Sequence, residues 1–145
     1  MKKMLLAFGL FGAAMVAHAA DPLNGTVWQT IDDETKQPKA LVVFTEQKNG
    51  TLSASIQKVL TPGEENSCAN CEGPYKNKPL RGVTIVRGLK NVGGTQYDNG
   101  SILDPKNGKT YSLKGQLING GKQLKIRGYL GFSALGRNQT WNRIH

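Results

Sequence analysis

The sequence predicts an all-β domain, a small antiparallel barrel of eight strands that follows a cleavable leader. Three observations carry this. Asn-Gly recurs at Asn24-Gly25, Asn49-Gly50, Asn99-Gly100, Asn107-Gly108 and Asn119-Gly120, and this pair accepts the positive φ angles of tight hairpin turns. Between these marks apolar and polar residues alternate with a period of two, as in strands with one buried and one wet face. No helical segment of ten residues follows the leader. Strands joined in series by short turns can close on themselves, which removes exposed edges. A β-sandwich would use the same strands and is the alternative.

The elements follow in chain order. Lys2 and Lys3, the apolar run Met4 to Val16 and the Ala17-His18-Ala19 motif read as a signal peptide over residues 1–19, cut after Ala19 or Ala20. That apolar run is too short to span a bilayer as a permanent helix. The remaining chain, 20–145, is then one exported, periplasmic domain, in a compartment without nucleic acid, ATP or NAD to act on. Strands are predicted at about 26–31, 40–47, 51–60, 82–89, 99–103, 109–118, 122–130 and 139–144. In the third, Leu52, Ala54 and Ile56 alternate with Ser53, Ser55 and Gln57; in the seventh, Leu124 and Ile126 alternate with Lys125 and Arg127. The longest irregular stretch, about Thr61 to Pro79, is long enough for a lid or binding loop.

The chain carries 19 Lys and Arg against 10 Asp and Glu, a net charge of +9. In an exported protein such charge points to anionic envelope components or to a solvated surface rather than to nucleic acid. Cys68-Ala69-Asn70-Cys71 has three readings. A redox motif needs a helix N-terminus to lower the thiol pKa, and this one lies among Pro62, Gly63 and Pro74 with Glu64, Glu65 and Glu72 nearby. Zinc needs about four ligands; two Cys and the terminal His145 fall short. A structural disulfide pinning the long loop is the natural reading in an oxidising compartment.

Trp28, in the first strand, and Trp141, in the last, become neighbours if the barrel closes. They either plug one end or stack on Arg127 or Arg143. Asp104 to Lys109 reads as a turn. Asp32-Asp33-Glu34 reads as a solvated loop, without the spaced ligands of a calcium site. The densest polar-aromatic block runs from Arg127 through Tyr129 and Arg137 to Trp141. Arg127 and Tyr129 lie on the face opposite Leu124 and Ile126, and the sequence leaves open which face points into the barrel. With one His left, at the C-terminus, a catalytic triad has no base. No metal or other cofactor is implied.

These motifs together resemble a bacterial envelope family, domain-of-unknown-function family 2147. The resemblance spans nearly the whole exported chain. It rests on Trp28-Gln29-Thr30-Ile31-Asp32-Asp33, Cys68-x-x-Cys71-Glu72-Gly73 with Lys78-Pro79-Leu80, Gly100 to Tyr111, Leu124-Lys125-Ile126-Arg127-Gly128-Tyr129, and Leu135 to Trp141. It implies an exported, lipocalin-like barrel and brings no established activity. Gly25-Thr26-Val27-Trp28 has one residue more than the G-x-W of lipocalins.

Three functions remain in view. The first is a module binding a small apolar or amphipathic ligand, or sensing an envelope component. Arg127, Tyr129, Arg137, Trp141, Tyr111 and Trp28 are its candidate residues, and basic residues at the mouth would favour an anionic headgroup. A barrel interior packed solid with Leu, Ile and Val would count against it. The second is a structural or protein-interaction module with a filled core. The third is an enzyme using Asp104 with Tyr111 or Lys109.

Overall fold

A computed structural model describes residues 9, 12, 19–63, 68–132 and 135–145. The predicted leader falls almost wholly outside them. Eight antiparallel strands run in chain order: β1 (Val27–Ile31), β2 (Pro38–Glu46), β3 (Leu52–Val59), β4 (Thr84–Gly93), β5 (Gln96–Leu103), β6 (Thr110–Ile118), β7 (Gln123–Tyr129) and β8 (Gly136–Arg143). Each pairs with the next, and β8 pairs with β1, so the sheet is a closed barrel. The sandwich alternative is excluded. Closure rests on Trp28 opposite Arg143 and Gln29 opposite Asn142, extended by the Val27 N–H donating to the His145 carbonyl at 3.0 Å.

Alternation selects what faces inward. Trp28 and Thr30 are buried on β1; Ala40, Val42 and Phe44 on β2; Leu52, Ala54 and Ile56 on β3. On β7 Leu124 and Ile126 are buried while Lys125 is exposed. A one-residue slip would turn each set outward, so the apolar pattern holds the register.

Asn49-Gly50, Asn107-Gly108 and Asn119-Gly120 fall in turns between strands, as expected. Asn99-Gly100 does not. It lies inside β5, with Asn99 at φ +63°, where the pairing of β5 with β6 slips between Tyr97 and Gly100. The extra residue makes a β-bulge. Gly100 also lies under β4: a Cβ there would meet the Leu89 Cα at 3.2 Å. The hairpin of β4 and β5 turns instead at Gly93 and Gly94, both at positive φ, which lengthens both strands beyond the expected 82–89 and 99–103.

The two ends of the barrel differ. One end carries the short turns after β2, β4 and β6. It is plugged by residues 21–26, with Leu23 fully buried. The Asp21 N–H donates to Glu46 at 3.0 Å, and the Thr26 hydroxyl donates to the Leu23 carbonyl at 2.6 Å. The other end carries the loops after β1, β3, β5 and β7, and there the barrel is open.

Candidate functional site

The barrel is filled at its plugged end and hollow at the other. Phe44 and Trp141 pack with ring centroids 6.4 Å apart. With Trp28, Tyr97, Leu52, Leu89 and Leu124 they fill the closed half. Each buried side chain of this size contributes about 1.5–3 kcal/mol. Toward the mouth the inward positions shrink: Thr30 on β1 faces Ala40 on β2, and Gly128 on β7 faces Leu113 on β6. A Cβ at Gly128 would come no closer than 3.7 Å to Ile102 and Tyr111, so the missing side chain leaves open volume. The result is a cavity of about 1200 Å³.

Its walls are aliphatic: Ile56, Val59, Ile85, Ile102 and Ile126. Trp141 forms part of the floor, with its indole N–H donating to Gln139 Oε1 at 2.9 Å. Asp32, Asp33, Glu34 and Asp104 supply carboxylates, and Lys39, Lys106 and Arg137 supply cations. The mouth is therefore mixed in charge rather than basic. Arg137 lies between two loops, its Nε 3.6 Å from Asp33 Oδ2 and its Nη2 3.8 Å from Asp104 Oδ2. Lys39 stands 3.8 Å from Asp32. The backbone N–H groups of Thr35 and Glu34 donate to the Asp32 carboxylate and hold its pKa below the ordinary value; Lys39 adds a smaller effect in the same direction.

The loop of Cys68 and Cys71 lies beside this mouth. The two cysteines are disulfide-bonded and buried. Asn70 Nδ2 donates to the Lys106 carbonyl at 2.7 Å, which ties this loop to the β5–β6 turn. Gly108, at φ +73°, lies so close to the Asn70 carbonyl that any Cβ would collide with it. The turn of residues 104–109 is held as its sequence suggested: the Lys106 N–H donates to Asp104 Oδ1 at 2.9 Å, and the Lys109 N–H to Asn107 Oδ1 at 2.8 Å.

The six candidate residues separate in three dimensions. Arg137, Trp141, Tyr111 and Tyr129 border the cavity. Tyr111 accepts a hydrogen bond from Asn107 at 3.0 Å. Tyr129 belongs to the outer face, where the Lys114 ammonium lies 5.9 Å from its ring centroid. Arg127 is also outside, donating to Asn138 Oδ1 at 2.9 Å. Trp28 is buried at the plugged end, its indole N–H donating to the Thr26 hydroxyl at 2.7 Å. The question left open by the sequence is thus answered: the apolar face of β7 points inward. Asp104 and Tyr111 both reach the mouth, whereas Lys109 is not part of the lining. Among the described residues no group of three or more His, Cys, Asp or Glu could hold a metal ion.

Sequence reading passed over Thr30, Ala40, Ile102, Ile126 and Gly128 as site residues. A signal existed. The inward residue nearer the mouth is the smaller one in Trp28 and Thr30, and in Phe44 and Ala40. This taper of volume marks a barrel that is only half filled.

The comparisons agree with this architecture. A family model described as an uncharacterized protein conserved in bacteria (DUF2147) matches residues 26–143. Among solved structures, the barrel is similar to protein HP1028 from the human pathogen Helicobacter pylori, described as belonging to the lipocalin family. The TM-score is 0.73 at 24% sequence identity, over 85% of this chain and 83% of that one. No curated protein matches the chain significantly.

Proposed function

We propose, from the premise that this chain belongs to the DUF2147 family, that it is an exported barrel that binds one small amphipathic molecule. The observation that carries the reading is the half-filled interior. A cavity of about 1200 Å³, with an indole floor, aliphatic walls and a charged rim, has the chemistry of small-molecule sites. Those are mostly apolar, with a few polar groups that orient the ligand, and measure about 300–1000 Å³. The apolar part of a ligand would lie against Ile56, Ile102, Ile126 and Trp141, and its polar end at the rim beside Arg137 and Asp104. The leader-like N-terminus supports action outside the cytoplasm, in the periplasm.

Native mass spectrometry of the processed protein, purified gently from the periplasm of its own cells, tests this. An adduct of constant mass, lost on denaturation and recovered in a solvent extract, is the expected result. A bare polypeptide that also takes up no amphiphile in a binding screen overturns the reading, and leaves the barrel a structural or protein-interaction module.

A further inference from the structure

The charge of this chain is divided unevenly. No Asp or Glu follows Asp104, and residues 105–145 carry eight Lys and Arg. Most of this stretch folds into β6, β7 and β8. On their outer face Lys114 stands directly opposite Arg127, and Lys125 is exposed between Gln116 and Thr140. Like charges opposed across a ladder are destabilising. The Tyr129 ring offsets part of that by facing the Lys114 ammonium.

An apolar tip adjoins this basic face. Tyr129 pairs with Gly136, so Leu130, Phe132 and Leu135 lie in the β7–β8 loop, with the Leu135 N–H donating to the Phe132 carbonyl at 3.0 Å. Three large apolar side chains are exposed in this short loop: Leu130 at 57%, Phe132 at 79% and Leu135 at 72%. Single exposed apolar residues are ordinary, but a cluster bordered by charge marks an interaction site. Two of the rim carboxylates, Asp33 and Asp104, are paired with Arg137.

We infer that the β7–β8 loop and the outer face of β6–β8 form a docking surface for a membrane rich in anionic lipid. Phe132 and Leu135 enter the boundary between headgroups and acyl chains, while Lys114, Lys125 and Arg127 lie against lipid phosphates. Apolar insertion combined with basic flanks is the chemistry of a peripheral membrane surface. A polyanion in solution would use the cations and leave the apolar tip without a partner. The same loop borders the cavity through Leu130 and Leu135, so docking would bring the mouth to the bilayer.

Flotation of the processed protein with lipid vesicles tests the inference. Vesicles of phosphatidylglycerol and phosphatidylcholine should carry the protein, pure phosphatidylcholine vesicles should not, and added salt should weaken the binding. Phe132→Ser, at a side chain too exposed to matter for folding, should weaken it by about ten-fold or more. Lys114→Gln and Lys125→Gln should each cost roughly five-fold. Gly128→Leu, which fills the cavity, should leave vesicle binding unchanged, so failure of the cavity reading and failure of this one are separable. Absence of binding, equal binding to neutral vesicles, or binding indifferent to Phe132→Ser overturns the inference; the last would indicate a polyanion site.

Discussion

Arg137 bridges the seam of the barrel to Asp33. Its Nε lies 3.6 Å from Asp33 Oδ2, joining the start of β8 to the loop after β1. The ladder between those strands pairs only Trp28 with Arg143 and Gln29 with Asn142, both near the plugged end. Toward the mouth the seam is held by side chains.

Arg137→Gln should therefore loosen the mouth more than it destabilises the fold. The Arg137 side chain is 64% exposed, and exposed ion pairs contribute no more than about 1 kcal/mol. The expected result is a nearly unchanged thermal midpoint with faster amide exchange at residues 30–33 and 138–141. High salt should reproduce that exchange pattern in the unaltered protein, since screening weakens exposed pairs. Unchanged exchange at these residues would show that the arginine does not hold the seam.

Gly128→Leu should fill the cavity without unfolding the barrel. Gly128 does not use a positive φ, and a Cβ there has ordinary contact distances. A buried leucine against Ile102 and Tyr111 should leave stability equal or raise it by about 1 kcal/mol. Binding of an amphiphilic fluorescent probe should fall at least about ten-fold, a loss of roughly 1.4 kcal/mol. Trp141 emission offers a second readout, since that indole borders the cavity.

Tyr97→Phe should remove a pH dependence at the plugged end. The Tyr97 hydroxyl donates to Asp21 Oδ1 at 2.8 Å. Burial, with the Asp21 carboxylate adding to it, pushes the phenol from 10.0 up to about 12. The fold thus prefers the protonated phenol. Its contribution is complete below pH 10.0 and is lost as the pH rises through about 12. Urea midpoints measured across that window should fall more steeply for the unaltered protein than for Tyr97→Phe. Below it the variant should be less stable by about 1 kcal/mol, the usual net worth of one hydrogen bond.

Replacing both Cys68 and Cys71 by Ser should cost about 2 kcal/mol, the entropy of so short a closed loop. The consequence should be local. Asn70 ties this loop to the β5–β6 turn, so limited proteolysis should speed up in residues 68–80 and 104–109 together. Cleavage confined to the first of these segments would show that the contact between the loops carries no stability.

The strand count, antiparallel order and two-faced character of the strands are legible in the sequence, because a period of two and Asn-Gly turns are local features. Leu52, Ala54 and Ile56 announce a buried face wherever the strand is placed. The bulge at Asn99 was not legible, since Asn-Gly accepts positive φ equally in a hairpin turn and in a bulge. What separates the two is that β5 runs on past Asn99 beside β4, with Gly100 against Leu89. Gly93 and Gly94 carry no Asn-Gly signal, so the turn between β4 and β5 has no local mark as strong as the one at Asn99. The pairing of Arg137 with Asp33 and Asp104 joins residues about a hundred and about thirty positions apart, and no local pattern announces it.

The sequence by itself determined the class of fold, its strand order and its charge, because each depends on residues read singly or with near neighbours. Only the tertiary structure decided that the apolar face of β7 points inward and Arg127 outward, and that the interior is half hollow. It also decided that the exposed loop of Leu130, Phe132 and Leu135 joins an acid-free basic face. Closing the barrel is what assigns inside and outside. The volume left within depends on the sum of side chains from all eight strands at one height, which no single strand contains.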